Sequence, residues 1–342
     1  MAKSSKIKVG IIGVGNCAKS LVEGVQYYAE NNKEETGVMK TDIGGYLAGD
    51  VEFVIGFDID ERKTGLGLGK ALKQRPNCAW DIVDTIKCNA PVFESPVIDG
   101  YAGLMDSYPE ENRFLVSEKL RNSTDMNRVS WTTKLERSWK DSIIKELKKR
   151  DVEVLVNYLP VGSQKTTEFW AEICLETGIS FVNCIPVFIA SDPAWEQRFI
   201  DAGIPLIGDD MRSQFGASIL SQMLQELAFE RGHHVKAHIQ RNVGGNTDFL
   251  NMEDKSRLAS KKISKENVIR AQNDIRNIST EDSFLHAGPS EYIHYYGDNK
   301  VANFRLELEG FGGSPVIFDA QLSVQDSPNS AGVVIDAIRY LK

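Results

Sequence analysis

The chain has 342 residues, 42% hydrophobic and 26% charged, with 48 acidic against 40 basic side chains and a formal charge of −8. That length accommodates two domains of about 100–200 residues each, and the composition is that of an ordinary globular protein. A pI near 5.3 argues against a general nucleic-acid binder, and no apolar run approaches the roughly 18 residues that cross a bilayer.

In chain order, KVGIIGVG is the first apolar stretch. It has no small-residue cleavage site and reads as a strand, so no secretory leader is expected and the address is cytoplasmic. A glycine turn and a helical periodicity follow within IKVGIIGVGNCAKSLVEGVQYY. VEFVIGFDID is a second strand ending in acids, and residues 61–150 read as polar and irregular apart from the amphipathic SWKDSIIKELKKR. VEVLVNYLPVGS, KTTEFWAEICLETG, ISFVNCIPVFIAS and IPLIGDD then alternate strand and helix, which implies a parallel sheet covered on both faces.

After Asp210 the pattern changes. SILSQMLQELAFERG reads as an amphipathic helix stopped by Gly232. VKAHIQRNV, VANFRLELEG and PVIFDAQLSV alternate with the two-residue period of a half-buried, mostly antiparallel sheet. The terminal SAGVVIDAIRYLK is helical and reads as a return to the first domain. The five cysteines, Cys17, Cys78, Cys88, Cys174 and Cys184, lack C-x-x-C spacing, which speaks against a zinc cluster and for reduced, mostly buried thiols. The five histidines show no metal-ligand or triad spacing and read as surface or strand residues, and Tyr295-Tyr296 as strand packing. No metal site is expected.

Gly13-Val14-Gly15-Asn16-Cys17-Ala18 has the G-x-G-x-x-(G/A) form between a strand and a helix. Glycines there let backbone amides approach a pyrophosphate at the helix N-terminus. The second strand ends on Asp58 and Asp60, where an acid binds ribose hydroxyls and favours NAD over its phosphorylated relative. Asp58 stands more than 40 positions past Gly13, against about 20 in the usual fingerprint, so the interval holds an extra loop. The turn taken alone would also fit other α/β proteins.

A basic knot, SRLASKKISKENV at 256–268, stands out in this acidic chain and asks for an anion. Ser264 can cap a helix starting near Lys265, adding that lysine to a helix's positive end. Lys261 beside Lys262 feels like-charge repulsion, which lowers a lysine pKa toward acid–base range in a dry site. Lys262 and Lys255 read as solvated charges. GDDMRSQFGAS, NVGGNTDFLN and YGDNKVANF are further polar, small-residue stretches placed as site loops, and Gly216 opens a helix whose amides suit an anion.

With GVGNCA, FDID, NYLPVGS, VNCIPVFIA, IGDD, NVGGNTDFLNM, SRLASKKISK and DSPNSAGVVIDA, the chain resembles the bacterial-type myo-inositol-1-phosphate synthase family from about residue 6 to 340. The resemblance implies an α/β fold, with a Rossmann-type NAD-binding domain at 1–203 plus 326–342. An inserted α+β domain at 204–325 would be catalytic and tetramer-forming. It implies isomerisation of D-glucose 6-phosphate to an inositol monophosphate, with NAD recycled through oxidation, enolisation, aldol closure and reduction. The sugar's phosphate would be the anion that the lysines face, no nucleic acid or membrane partner is expected, and a cation activator of unknown identity is left open.

Carried over by resemblance, Lys261 serves the C5 oxygen as acid–base, while Lys265 and Lys300 neutralise phosphate and oxyanions. Asp210, Asn246 and Asp248 position substrate, nicotinamide and lysines, and Ser213 and Gly216 join Lys265 in holding phosphate. Gly13, Val14, Gly15, Asn16, Cys17 and Asp58 form the NAD site, joined more loosely by Asn157 and Leu159, and by Asp326. Bland readings stand beside these: Lys265 as an exposed first-turn lysine, Lys300 as a hairpin-tip charge, Asn246 and Asp248 as turn-shaping residues.

Two departures from the family pattern stand out. Arg212 occupies a position where the family usually has lysine, which excludes proton exchange there but keeps phosphate binding open. The family pattern also continues past the AIRYLK helix to another site lysine, whereas this sequence ends at Lys342. A shortened form, a substitute charge or impaired cyclisation are the expectations that follow. The alternatives are therefore an NAD-dependent enzyme on another phosphosugar, or a catalytically impaired homologue that binds NAD or sugar phosphate.

Overall fold

The computed structural model describes residues 6–31, 36–257, 263, 266, 267, 269–271, 273, 275, 276 and 283–342. Its first sheet has six parallel strands: β1 (Ile7–Ile12), β2 (Val51–Asp58), β3 (Val92–Glu94), β4 (Val154–Asn157), β5 (Ser180–Asn183) and β6 (Leu206–Ile207). Their order is β3-β2-β1-β4-β5-β6, the doubly wound Rossmann arrangement. IKVGII and VLVN are apolar but for Lys8 and Asn157, because strands covered on both faces have almost no solvent side.

Helices close both faces. On one lie α1 (Asn16–Glu30) and the last helix, α9 (Asp326–Tyr340), where Leu21, Val22 and Val25 meet Val334, Ile335 and Ile338 over Val9, Ile11 and Val154. On the other, α4 (Thr133–Lys149), α5 (Gln164–Thr177) and α6 (Pro193–Ala202) bury Ile143, Leu147, Trp170 and Phe199 against Phe57, Leu155 and Phe181. Asp192 caps α6 from just before Pro193, and Gly178 ends α5 in the left-handed conformation. Between β2 and β4, residues 61–150 are more ordered than their polarity predicts. They form α2 (Leu68–Ala71), β3, α3 (Glu118–Thr124) and α4.

The long interval before Asp58 folds onto α9. The Arg339 guanidinium donates to the carbonyls of Lys40, Thr41 and Tyr46 and pairs with Asp336, whose carboxylate also accepts from the Met39 amide.

The second sheet runs β10-β9-β7-β8, from β7 (His234–Gly244), β8 (Phe284–Tyr292), β9 (Asn299–Glu309) and β10 (Pro315–Gln325). The pairs β10/β9 and β9/β7 are antiparallel, as the alternation predicts, but β7/β8 is parallel. β8 escaped the sequence reading because FLHAGPSEY breaks its pattern with Gly288-Pro289. Helix α7 (Ala217–Glu230) packs Ala217, Leu220 and Leu224 on Ala302, Phe304 and Leu322 of this sheet.

Two smaller expectations need correction. Tyr295 and Tyr296 sit in a 3-10 turn, with Tyr295 94% exposed, and not in a strand. Cys78 is exposed rather than buried. His238 is a strand residue, as read from the sequence, and is buried, bonded to Gln225 Oε1 at 2.9 Å and Ser221 Oγ at 3.1 Å. Among the described residues no helix is long and apolar enough to cross a membrane.

Candidate active site

β1 and β4 lie side by side at the point where strand order reverses, and the loops leaving their C-terminal ends part there. A cleft of about 250 Å³ opens at this point, between the first sheet and α7, α8 (Thr247–Asn251), β9 and α9. Open α/β sheets take their ligands at this position.

On the first-sheet side the glycine turn is held tightly. Gly13 has φ +87°, and a Cβ there would meet the Tyr158 carbonyl oxygen at 2.6 Å, so only glycine fits. Gly15 N-caps α1, with no side-chain cap and no acidic residue in the first turn, and a Cβ there would meet only open space. A bare positive helix end facing a cleft suits a phosphate group. Asp58 Oδ2 accepts from the Val14 amide at 2.7 Å and Oδ1 from the Ile59 and Asp60 amides at 2.8 Å, fixing the carboxylate at the cleft wall. Asp60 does not share that role. It is fully buried and committed to Arg62 and the Leu115 amide.

Of the residues expected at the cofactor, Gly13, Gly15, Asn16, Cys17, Asp58, Leu159 and Asp326 line the cleft. Asn16 Oδ1 accepts from the Cys78 and Ala79 amides, tying the turn to its neighbour. Val14 does not line the cleft as expected: its side chain is buried in the core, its amide donates to Asp58, and its carbonyl accepts from Lys63 Nζ at 2.8 Å. Asn157 is fully buried. Its Nδ2 donates to Asn183 Oδ1 at 2.9 Å and its Oδ1 holds the Leu159 amide at 3.1 Å, so it shapes the loop from beneath. The Cys17 thiol is pushed up to about 12 by burial, reinforced by the charges of Asp298 and Asp326, and stays protonated.

The loop after β6 separates two adjacent acids. Asp209 turns inward, accepting from the Ile189, Ala190 and Ser191 amides and from Asn183 Nδ2. Asp210, at φ +53°, lines the cleft with Arg212, Ser213 and Gly216. Gly216 N-caps α7 without a side-chain cap, giving a second bare helix start. Arg212 is exposed and donates to Gln222 Oε1 at 3.1 Å. Asn329 of α9 holds this loop through the Phe215 backbone, accepting at 3.3 Å and donating at 2.7 Å.

The opposite wall converges on Asp298, a residue within the YGDNKVANF stretch that its sequence context did not single out. Its carboxylate accepts from the Ser327 amide at 3.0 Å, Ser327 Oγ at 2.8 Å and Asn246 Nδ2 at 3.1 Å. Asn246 in turn caps α8, accepting from the Asp248 and Phe249 amides. One buried acid therefore ties together the starts of α8, β9 and α9. Despite those donors, burial and then the nearby charge of Asp326 push Asp298 up to about 6. Lys300 and Asp326 form an ion pair, and both line the cleft with Asn246 and Asp248.

Lys261, Lys262, Ser264 and Lys265 lie outside the described residues, so the expectations placed on them stay with the sequence. Lys255 is exposed, and Lys342 ion-pairs with Glu153. No group of three or more His, Cys, Asp or Glu side chains able to hold a metal ion occurs among the described residues. Asn242 and Ser327 also line the cleft without having been singled out. Asn242 stood in the quoted NVGGNTD block and Ser327 directly after Asp326, which was the available signal.

The model of the myo-inositol-1-phosphate synthase family matches residues 216–327. The chain is 41% identical over 343 aligned residues to an inositol-3-phosphate synthase of Corynebacterium glutamicum, covering 99% of this chain and 88% of that one. It is 40% identical to an inositol-3-phosphate synthase of Mycobacterium tuberculosis, covering 99% and 86%. In fold it is similar to a crystal structure of a myo-inositol-1-phosphate synthase-related protein from Thermotoga maritima. That likeness has a TM-score of 0.76 and 24% identity, over 98% of this chain and 86% of the other.

Proposed function

The chain belongs to the myo-inositol-1-phosphate synthase family, and from that membership we propose that it converts D-glucose 6-phosphate to an inositol monophosphate with recycled NAD. The observation that carries this reading is the single cleft. A bare α1 start with Asp58, a bare α7 start with Ser213, and the Lys300–Asp326 pair beside Asn246 and Asp248 all open into it.

The uncapped helix start, the open space at Gly15 and the Asp58 carboxylate fit a dinucleotide. Gly13, Gly15, Asn16 and Leu159 would line its phosphate and ribose, with Asp326 nearer the reacting end. NAD, when bound, supplies the acceptor that takes a hydride from the sugar's C5 and later returns it. The chain's own groups hold and neutralise the rest. The α7 start with Ser213 would bind the sugar phosphate, with Lys265 added from the neighbouring segment. Lys300 would offset charge on the enolate and aldol oxygens, and Asp326 holds that ammonium in place. Lys261 would move the C5 hydroxyl proton.

The same membership supports a cytoplasmic homotetramer serving inositol and phospholipid synthesis. Its dinucleotide domain would span 1–203 plus 326–342, with the catalytic, tetramer-forming domain at 204–325. Exposed Val316, Ile317 and Phe318 on β10 offer an apolar strand for such an assembly. A second reading, turnover of a different phosphosugar, is favoured by Arg212 at the cleft, since a guanidinium reads phosphate in a forked geometry unlike an ammonium.

One assay tests both. Purified protein is incubated with glucose 6-phosphate and NAD and followed by phosphorus NMR and absorbance. Inositol phosphate without accumulating NADH supports the first reading. Net NADH with an oxidised sugar phosphate supports the second, and unchanged glucose 6-phosphate overturns the first.

A further inference from the structure

Lys63 has no exposed surface, and lysine is almost never fully buried without a charged partner. It stands in the turn after β2, where its own amide and that of Thr64 donate to the Asp60 carbonyl at 2.9 and 3.1 Å. Its amino group meets two neutral oxygens, the Val14 carbonyl at 2.8 Å and Asn77 Oδ1 at 2.9 Å. Asn77 Nδ2 reaches the same Val14 carbonyl at 3.2 Å and the Leu72 carbonyl at 3.1 Å. Lys63, Asn77 and Val14 thus close a triangle on one oxygen. Burial pushes the Lys63 pKa below the ordinary lysine range, against the pull of Asp58 and Asp60. The chemistry proposed for the cleft makes no use of this side chain.

The oxygen it holds belongs to the glycine turn. Val14 is clamped at both of its backbone polar groups from β2 and the turn that follows. Its amide donates to Asp58 Oδ2 at 2.7 Å, and its carbonyl accepts from Lys63. The preceding amide, that of Gly13, donates to the Phe57 carbonyl at 2.8 Å. The Val14–Gly15 peptide is trans, and in a trans peptide the C=O and the following N–H point in opposite directions. Drawing the Val14 carbonyl onto buried Lys63 therefore turns the Gly15 amide the other way, and Gly15 lines the cleft while Lys63 does not. A rotated peptide would instead bring a carbonyl oxygen toward the α1 start, where it would repel an anion.

We propose that Lys63 is a positioning residue of the dinucleotide site: by holding the Val14 carbonyl inward it aims the Gly15 amide at the ligand's phosphate. Lys63, fully buried, touches no ligand atom itself. Its effect is confined to the phosphate, because the Asp58 carboxylate that faces the ribose is fixed by the Val14, Ile59 and Asp60 amides without help from Lys63. Losing one amide aimed at a charged group weakens binding by about tenfold or more.

The inference rests on the reading of the cleft as a dinucleotide site, and the test separates the two. Full-length wild type, Lys63→Met and Lys63→Gln are titrated with NAD and ADP by calorimetry and with adenosine by ligand-observed NMR. Melting temperatures are measured alongside. Lys63→Met is expected to bind NAD and ADP about tenfold or more weakly, with adenosine affinity unchanged. Lys63→Gln keeps an N–H donor on a shorter stem and should fall between Lys63→Met and wild type. Adenosine carries no phosphate, so general damage to the fold weakens all three ligands together. Such a common loss overturns the proposal, and so do wild-type affinities for all three in Lys63→Met. Should Lys63→Met not fold, Lys63→Gln decides by the same comparison: ADP weakened with adenosine kept supports the assignment, and equal loss or no loss overturns it. If wild type itself binds neither NAD nor ADP, the dinucleotide reading fails and the role of Lys63 falls with it. Tight wild-type binding with an unaffected variant removes Lys63 alone.

Discussion

Lys300, the second residue of β9, is ion-paired with Asp326, the first residue of α9. The antiparallel register sets Lys300 opposite Val324, so the strand pairing itself delivers the ammonium to the helix start. Both side chains are mostly shielded, at 15% and 22% exposure, and the buried Asp298 stands beside them.

Lys300→Met removes a positive charge from beside Asp298 and Asp326. Turnover of glucose 6-phosphate is expected to fall by about 10²–10³-fold, the scale of losing one preorganised charge-stabilising group. Asp326→Asn should lose a similar factor, and the double variant little more, because the two act as a unit. Steady-state kinetics of the three variants, with NAD binding measured separately, checks this.

Lys261→Ala and Lys265→Ala are each expected to abolish turnover while NAD affinity persists, since the roles the resemblance carries onto them lie at the sugar and its phosphate. A variant that cycles at the wild-type rate would remove that lysine from the scheme.

The two glycines of the turn should fail differently. Gly13→Ala needs φ +87° and meets the Tyr158 carbonyl at 2.6 Å, so it should destabilise the fold by about 1–3 kcal/mol. Gly15→Val places its branch in open space at the cleft. It should keep the melting temperature and lose at least about tenfold in NAD affinity, or 1.4 kcal/mol. Thermal denaturation and calorimetric titration distinguish the two.

His238 gives a sign-definite pH effect. Burial lowers its pKa to about 4 from an ordinary 6.5, so the folded chain keeps it neutral while the unfolded chain takes up a proton near 6.5. Its contribution is whole above pH 6.5 and is lost as pH falls from there through 4, on the order of 3 kcal/mol in all. His238→Gln should flatten urea stability between pH 6.5 and 4. An unchanged slope would mean that His238 is not the titrating group.

Arg339→Met leaves Asp336 buried without its partner and releases the carbonyls of Lys40, Thr41 and Tyr46. Orphaning one member of a buried pair costs about 3–5 kcal/mol, so the midpoint of denaturant unfolding should drop with NAD-binding stoichiometry intact. The paired variant Arg339→Met with Asp336→Leu should recover much of the loss.

The sequence alone determined the alternation of apolar runs with helices, the glycine turn with its acid, and the loops around Asp210, Ser213, Asn246 and Lys300. Those features are local: a strand covered on both faces must be apolar, and a phosphate-binding turn must carry glycine where its backbone bends back. Composition and spacing could not separate Asp209 from Asp210 or Asp58 from Asp60, because each pair differs only in which amides its carboxylate meets. The family resemblance pointed to Asp210 and Asp58, and only the tertiary structure showed the physical reason. It also made Asp298 a hub and brought Arg257 to a carbonyl 158 positions away. Such hydrogen bonds join groups far apart in the chain, so no pattern along the chain encodes them until packing has brought the strands and helix starts together.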